Sequence, residues 1–287
     1  NNDNLELIQY LISLDKLDIN NKTEDDETPL HFAIYNEKLP TIKYLTSLPG
    51  IDLSIKDEDD KTLLHLASNA SENESITNYL LSLNQIQIDA KDKKGRTILH
   101  YACQNESFDL IKSLVKRPEL DVTATDSEGM NILHIACEWA NDINIIRFIV
   151  SLNKINVNDK SNDGNTPLLY LCDNYGSSGD YTQIVKYFSS LKDVDLTVTN
   201  KKEQNAIHIL CRRGNLQLVE HFVSFDKIDL NQKDEEGQNP LHIACEDGNL
   251  DLVKFLVSLD KINLTEVDNI GKNIMHHACS NYDHGFS

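Results

Sequence analysis

The sequence lacks what would place it in a membrane, in an export pathway or on nucleic acid. No apolar run in the 287 residues approaches the ~20 needed to cross a bilayer, and no positively charged start leads into a short apolar stretch. Neither a spanning helix nor a signal peptide is expected. Cationic charge is scarce: Lys+Arg 27 against Asp+Glu 46 gives a net charge of -19, which would repel a phosphate backbone and argues against DNA and RNA as partners. Aromatics make up only 7% of the chain, with a single tryptophan, but an apolar fraction of 40% is enough to bury a core. Catalytic signatures are also missing. There is no Gly-x-Gly-x-x-Gly, no Gly-Lys-Ser/Thr loop, no His-Glu-x-x-His and no unrepeated nucleophile with a base, so neither an enzyme nor a cofactor is predicted.

What is present is a period. A histidine after a large apolar residue recurs at His31, His65, His100, His134, His208, His242 and His276, with gaps of 34, 35, 34, 74, 34 and 34. The gap of 74 splits into 35 and 39 because Leu169 takes the missing histidine's place in Thr166-Pro167-Leu168-Leu169. A length that would otherwise suggest two domains therefore reads as one array of short units. The unit from Glu236 to Leu259 shows the content. Asn239 is an N-cap for a first helix that Pro240 opens and Gly248 ends, and a second runs from about Leu250 to Leu259 with Leu252, Val253, Leu256 and Leu259 as its buried stripe. An extended piece and a turn at Asp268-Asn269-Ile270-Gly271 follow, which predicts a hairpin-like connector.

Two short helices and a projecting turn per unit, with Thr-Pro-Leu-His intact at Thr28-Pro29-Leu30-His31, resemble the ankyrin repeat. Partial copies such as Thr97-Ile98-Leu99-His100 and Asn205-Ala206-Ile207-His208 carry the resemblance along the whole chain. A tetratricopeptide array of similar period would lack the proline-capped first helix and the hairpin glycines at Gly95, Gly129, Gly164, Gly237 and Gly271. The resemblance implies an all-α ankyrin-repeat solenoid of stacked helix-turn-helix units. Its expected divisions are a partial unit 1–25, repeats at about 26–59, 60–94, 95–128, 129–163, 164–202, 203–236 and 237–270, and a partial unit 271–287.

Three departures stand out. A segment of the type Leu259-Asp260-Lys261-Ile262-Asn263 replaces the family's Gly-Ala before the hairpin. The fifth repeat carries five extra residues around Asp173 to Asp180, read as an inserted glycine-rich loop. Asp60 and Glu203 stand where the hairpin glycine belongs, so strain or a different tip shape is expected there. The start at Asn1-Asn2 and the end soon after a unit-opening motif predict a segment of a longer chain, with Leu7, Ile8, Leu11 and Ile12 exposed on a helix lacking its partner.

Six cysteines, Cys103, Cys137, Cys172, Cys211, Cys245 and Cys279, are one position copied with the period. Equivalent helices about 8 to 10 Å apart hold them beyond disulfide reach, so they are expected as buried thiols in a reducing, cytoplasmic setting. The His-x-x-Cys spacing at His134 and Cys137 could in principle share a metal, as could the denser set His276, His277, Cys279 and His284. No metal is predicted, because the resemblance assigns the histidine to hydrogen bonds within its own turn and to the neighbouring unit.

The resemblance also locates the binding surface, a concave groove lined by hairpin tips and the exposed side of the first helices. The positions that match are occupied by Tyr35, Lys93, Lys94, Glu138, Trp139, Arg212 and Arg213, and the tips alternate in charge. Trp139, flanked by Tyr175 of the inserted loop and by the two arginines, is expected to anchor a partner segment; the alternative is that it fills space beside its own one-residue turn insertion. The function expected is a noncatalytic scaffold that binds a protein or peptide. The acidic excess favours a basic partner surface, and self-association through exposed terminal repeats is also expected. The alternative function is the ankyrin portion of a larger enzyme, channel or effector whose activity lies elsewhere.

Overall fold

A computed structural model describes residues 4–14, 16–69, 74–174 and 181–280. These form sixteen helices in two alternating series, numbered in chain order. The first-helix series is α2 (Pro29–Tyr35), α4 (Leu63–Asn69), α6 (Ile98–Gln104), α8 (Ile132–Glu138), α10 (Pro167–Asp173), α12 (Ala206–Arg212), α14 (Pro240–Glu246) and α16 (Ile274–Ser280). The second-helix series is α1 (Leu5–Ser13), α3 (Leu39–Thr46), α5 (Ser75–Leu81), α7 (Phe108–Leu114), α9 (Ile143–Ser151), α11 (Tyr181–Ser189), α13 (Leu216–Val223) and α15 (Leu250–Val257). Helices of seven to nine residues are too short to persist alone in water, so their stability comes from packing on neighbours. The all-α repeat solenoid expected from the sequence is what the helices form.

The chain divides into two compact units, Asn1–Ile132 and Leu133–Ser287. In the first, α2 packs on α3 and α4, and α4 on α5 and α6. In the second, the first helices α10, α12, α14 and α16 pack in succession, each of the earlier three against its own second helix. Fully buried Leu30, Ile34 and Ile42 fill the first interior, and Phe188, Leu210, Phe222, Leu252 and Leu256 the second.

Each first helix starts on its cap. Thr28, Thr97, Asn205 and Asn239 adopt extended backbone and form capping boxes in which the histidine three residues on takes the usual place of Glu or Gln. The backbone N–H of Thr97 donates to His100 Nδ1 at 3.1 Å, and that of Thr28 to His31 Nδ1 at 3.0 Å. The far ring nitrogen ties the next hairpin. Nε2 meets the carbonyl of Met130 from His100 at 3.1 Å, Asp159 from His134 at 2.9 Å, Gln232 from His208 at 3.0 Å and Glu266 from His242 at 3.1 Å. His31 is as deeply buried, yet its Nε2 finds no hydrogen-bond partner among the described residues.

The connectors are turns closed by a side chain rather than paired strands. Among the described residues the only bridge is Lys56 with Thr62. Asp92 shows why: its Oδ1 accepts from the N–H groups of Lys94 and Arg96, doing what a strand ladder would otherwise do, and Asp126, Asp234 and Asp268 repeat the pattern. The expected second helix at Leu250 to Leu259 ends earlier, at Val257. The lengthened segment after it is built as an amide staple. Asn231 donates to the carbonyl of Lys261 and accepts from the N–H of Asn263; Asn20 does the same with Gly50 and Asp52, and Asn158 with Asp193 and Asp195.

Asp60 and Glu203 do occupy the left-handed region, at φ 60° and 57°, as does Asp26 at 61°. The tips nevertheless keep the glycine shape. The N–H of Asp60 bonds to Asp57 O and that of Glu203 to Asn200 O, matching Gly95 with Asp92. The strain is therefore borne without a change of geometry.

The isolated α1 buries none of its residues; Leu7 is 52% and Leu11 37% exposed. An apolar cleft of about 820 Å³ opens between it and α2 and α3, lined by Ile8, Leu11, Ile12, Phe32 and Leu45. Phe32 is 46% exposed there, whereas its counterparts Tyr101, Ile209 and Ile243 are buried against a preceding first helix.

Candidate functional site

The hairpin tips are positioned by backbone. In the first unit the N–H of Lys93 donates to Asp59 O at 2.8 Å and that of Ser127 to Lys94 O at 2.7 Å. In the second, Lys201 N–H meets Asp163 O at 2.9 Å, Glu235 meets Lys202 O at 3.0 Å and Asn269 meets Glu236 O at 3.0 Å. Adjacent tips come so close that a Cβ on Gly164, at φ 78°, would stand 2.8 Å from Lys201 N. The consequence is a row of exposed side chains held in register, among them Lys93 and Lys94 as the sequence indicated.

At the helix ends of the second unit the structure joins residues that sequence reasoning had only set side by side. Trp139 is 47% exposed, and its indole N–H donates to Glu138 Oε2 at 3.1 Å. The Glu138 carbonyl accepts from the Asn174 amide at 2.7 Å, and Asp173, which precedes Asn174, receives Arg213 at 2.8 Å. A polar line thus runs from the indole across the ends of α8, α10 and α12. Ala140, which follows Trp139, is only 1% exposed.

Arg212 and Arg213, adjacent in the sequence, make different contacts. One residue of helix turns them to different neighbours: Arg213 grips Asp173 through Nε and Nη2, while the Arg212 guanidinium lies beside Gln204. Arg212 instead joins Lys201, Lys202 and Tyr170 around a cavity of about 290 Å³ between the fifth and sixth units. This is the joint where Leu169, 1% exposed, replaces the periodic imidazole. The cavity itself leaves no trace in the spacing; only the His to Leu exchange at 169 could have pointed to the joint.

Tyr35 is 42% exposed at the end of α2, with its hydroxyl pKa pushed up by burial and by Glu27. It belongs to the first unit with Lys93 and Lys94. Tyr175 and the inserted loop at 175–180 lie outside the described residues, as does His284.

The repeated histidines and cysteines serve packing. Burial holds His31, His65, His100, His208 and His242 below the usual imidazole pKa and pushes the thiols of Cys103, Cys172, Cys211 and Cys245 up. Cys279 departs from its copies: it is exposed, because among the described residues no second helix covers α16. Among the described residues no group of three or more His, Cys, Asp or Glu side chains is placed to hold a metal. His277, read from the sequence only as a candidate ligand, is buried with Nε2 3.0 Å from Asp268 Oδ2, as Tyr101 meets Asp92. No helix of the described residues is long and apolar enough to cross a membrane.

The sequence matches the family described as ankyrin repeats (3 copies) over residues 1–92, 38–126, 64–161, 174–268 and 207–285. Among curated proteins no match is found. With its capped helix pairs, buried imidazoles and glycine-turned tips, the chain belongs to the ankyrin-repeat family, whose arrays generally serve as protein–protein interaction modules.

Proposed function

We propose that this chain is a noncatalytic interaction module that holds a protein or peptide partner on its hairpin tips and first-helix ends. One observation carries the reading: the chain's only tryptophan stands nearly half exposed at the head of a hydrogen-bonded line reaching Arg213, where a rigid aromatic can be covered at little entropic cost. Within each compact unit, tips joined by backbone hydrogen bonds offer a continuous row to an extended segment. The net charge of -19 speeds encounter with basic partners and weakens with salt.

The test is capture of partners by the wild-type chain, followed by affinity measurement with Trp139→Ala and with Lys254→Gln, an exposed second-helix control. Truncating a tryptophan anchor costs ~2 kcal/mol or more, about 30-fold in affinity. Loss of that size with Trp139→Ala and none with Lys254→Gln is expected. Equal affinity for the wild type and both variants would remove the anchor.

A further inference from the structure

The cavity beside Arg212 is a cationic exception on an acidic chain. Lys201, Lys202 and Arg212 line it, and among the described residues none of the three makes an ion pair with a carboxylate. Asp173, which also lines it, is spoken for by Arg213 at 2.8 Å, leaving Asp163 as the one acid not neutralised within the wall. Tyr170 closes one side, its hydroxyl donating to Ser161 Oγ at 3.3 Å. The Arg212 fork is partnered only by the neutral Gln204 amide, which exchanges readily for a charged acceptor.

The neighbouring tips carry the opposite sign. Asp163 adjoins Lys201 on one side and Glu235-Glu236 adjoins Lys202 on the other, each through a direct backbone hydrogen bond. Units spaced by about 8 to 10 Å correspond to about three residues of extended chain at ~3.3 Å each. A segment lying across three tips therefore meets acid, base and acid at three-residue intervals.

We propose that this cavity receives a carboxylate side chain of an extended peptide in which the acidic residue has basic residues three positions before and after it. Arg212 takes the carboxylate in its fork, Lys201 and Lys202 complete the cationic wall, and the flanking acidic tips hold the peptide's two cations. This rests on the interaction reading above and names the chemistry of the partner segment at one of its subsites. It also reconciles the acidic surface with a cationic pocket: the overall charge attracts a basic segment, and the pocket selects the acid within it.

The probe is acetyl-Lys-Gly-Ser-Glu-Gly-Ser-Lys-amide, titrated calorimetrically and by backbone-amide NMR into the full 287-residue chain at low salt. Two companions are titrated alongside it: one with glutamine for the glutamate, and one with all three charges reversed. At least tenfold tighter binding of the glutamate probe than of either companion is expected, with the largest shifts at Lys201, Lys202 and the Arg212 side chain. Arg212→Gln, an exposed position, and the double change Lys201→Gln with Lys202→Gln should each abolish the preference for glutamate over glutamine. Lys254→Gln should keep it, and all variants should melt like the wild type.

Equal affinity for the glutamate and glutamine probes overturns the assignment. So does preference surviving in Arg212→Gln, or shifts centred on the similar Lys93-Lys94 tip. A captured partner that depends on Trp139 but is not displaced by the glutamate probe overturns the carboxylate subsite and leaves the interaction reading standing. A captured partner indifferent to both Trp139 and Arg212 overturns the two together.

Discussion

Threonine caps α2, α4 and α6, whereas asparagine caps α12, α14 and α16 further along, and the two caps treat the same imidazole differently. Thr28, Thr62 and Thr97 set a hydroxyl 2.9 to 3.0 Å from the histidine Nδ1, and a hydroxyl can donate. Asn205 and Asn239 set a carboxamide oxygen 2.7 Å from Nδ1 of His208 and His242, and that oxygen can only accept. A neutral ring suits the threonine environment, with Nδ1 accepting and Nε2 free to donate onward. In the asparagine environment Nε2 also faces a carbonyl, so a neutral ring with one proton leaves one of its two contacts unmade. The second difference runs the other way. Nε2 is bonded in His100, His134, His208 and His242 but has no partner among the described residues in His31. Identical residues at identical spacing thus do unequal work, because the motif sets the helix start while the next hairpin decides whether a carbonyl arrives at the far nitrogen.

The sharpest way to break this comparison is to replace an imidazole in each region by leucine, a side chain the array already accommodates at Leu169. His208→Leu removes bonds at both ring nitrogens and leaves the Gln232 carbonyl without its partner, a loss of about 2–4 kcal/mol. His31→Leu removes only the cap contacts, since its Nε2 already bonds to nothing, and should cost about 1–2 kcal/mol. Urea denaturation read by circular dichroism distinguishes them. Equal losses would mean that the bond to the next hairpin contributes nothing.

Acid sharpens the same contrast. Burial lowers the pKa of His31, His65, His100, His208 and His242 below 6.5, so the unfolded chain binds protons that the folded chain refuses. Stability conferred by the neutral rings is complete above that value and falls as the pH drops through it toward the lowered folded values, so the urea midpoint should decline between pH 7 and 5. Asn239→Thr supplies a hydroxyl donor to His242 Nδ1 and should stabilise by about 0.5–1.5 kcal/mol at pH 7. The gain should shrink toward pH 5, where a protonated ring prefers the asparagine oxygen. A gain that grows on acidification would show that the cap oxygen is not in conflict with the neutral ring.

Much of the architecture could be read from residue spacing. Helix starts follow from Thr or Asn followed by His three residues later, tips from glycine five residues before the histidine, and buried thiols from their copying with the period. These features are local and repeat, so each copy corroborates the others. What spacing could not show depends on direction in space. Arg212 and Arg213 are adjacent in sequence, but a helical step of one residue separates their guanidinium groups, giving one to Asp173 and one to a cavity. The hairpins read as extended pieces because their apolar residues alternate, whereas a side-chain oxygen, from Asp92, Asp126, Asp234 and Asp268 and from Asn200, accepts the N–H groups that a longer ladder would pair. Trp139 was legible as a candidate from its position, but its link through Glu138 and Asn174 to the next helix end was not, since those contacts join residues 36 apart.

The smallest effect compares one tip from each region. Asp60 and Glu203 hold the left-handed backbone that Gly95 and Gly164 adopt without a side-chain penalty, and their turns carry the same hydrogen bond from the tip residue's N–H. A left-handed conformation costs an L-residue roughly 1–2 kcal/mol, and glycine relieves it while adding freedom to the unfolded chain. The net gain from Asp60→Gly or Glu203→Gly should be about 0.5–1 kcal/mol, read as a rise in the urea midpoint. The two need not match. Both turns are closed by a side-chain oxygen, Asp57 Oδ1 in one and Asn200 Oδ1 in the other, but Lys61, next to Asp60, also donates to Asp59 Oδ2 at 2.8 Å, an ion pair with no counterpart among the described residues at the Glu203 tip. The larger gain is therefore expected at Glu203, where fewer contacts offset the strain, and a larger gain at Asp60 would show that the ion pair beside it does not contribute to the turn.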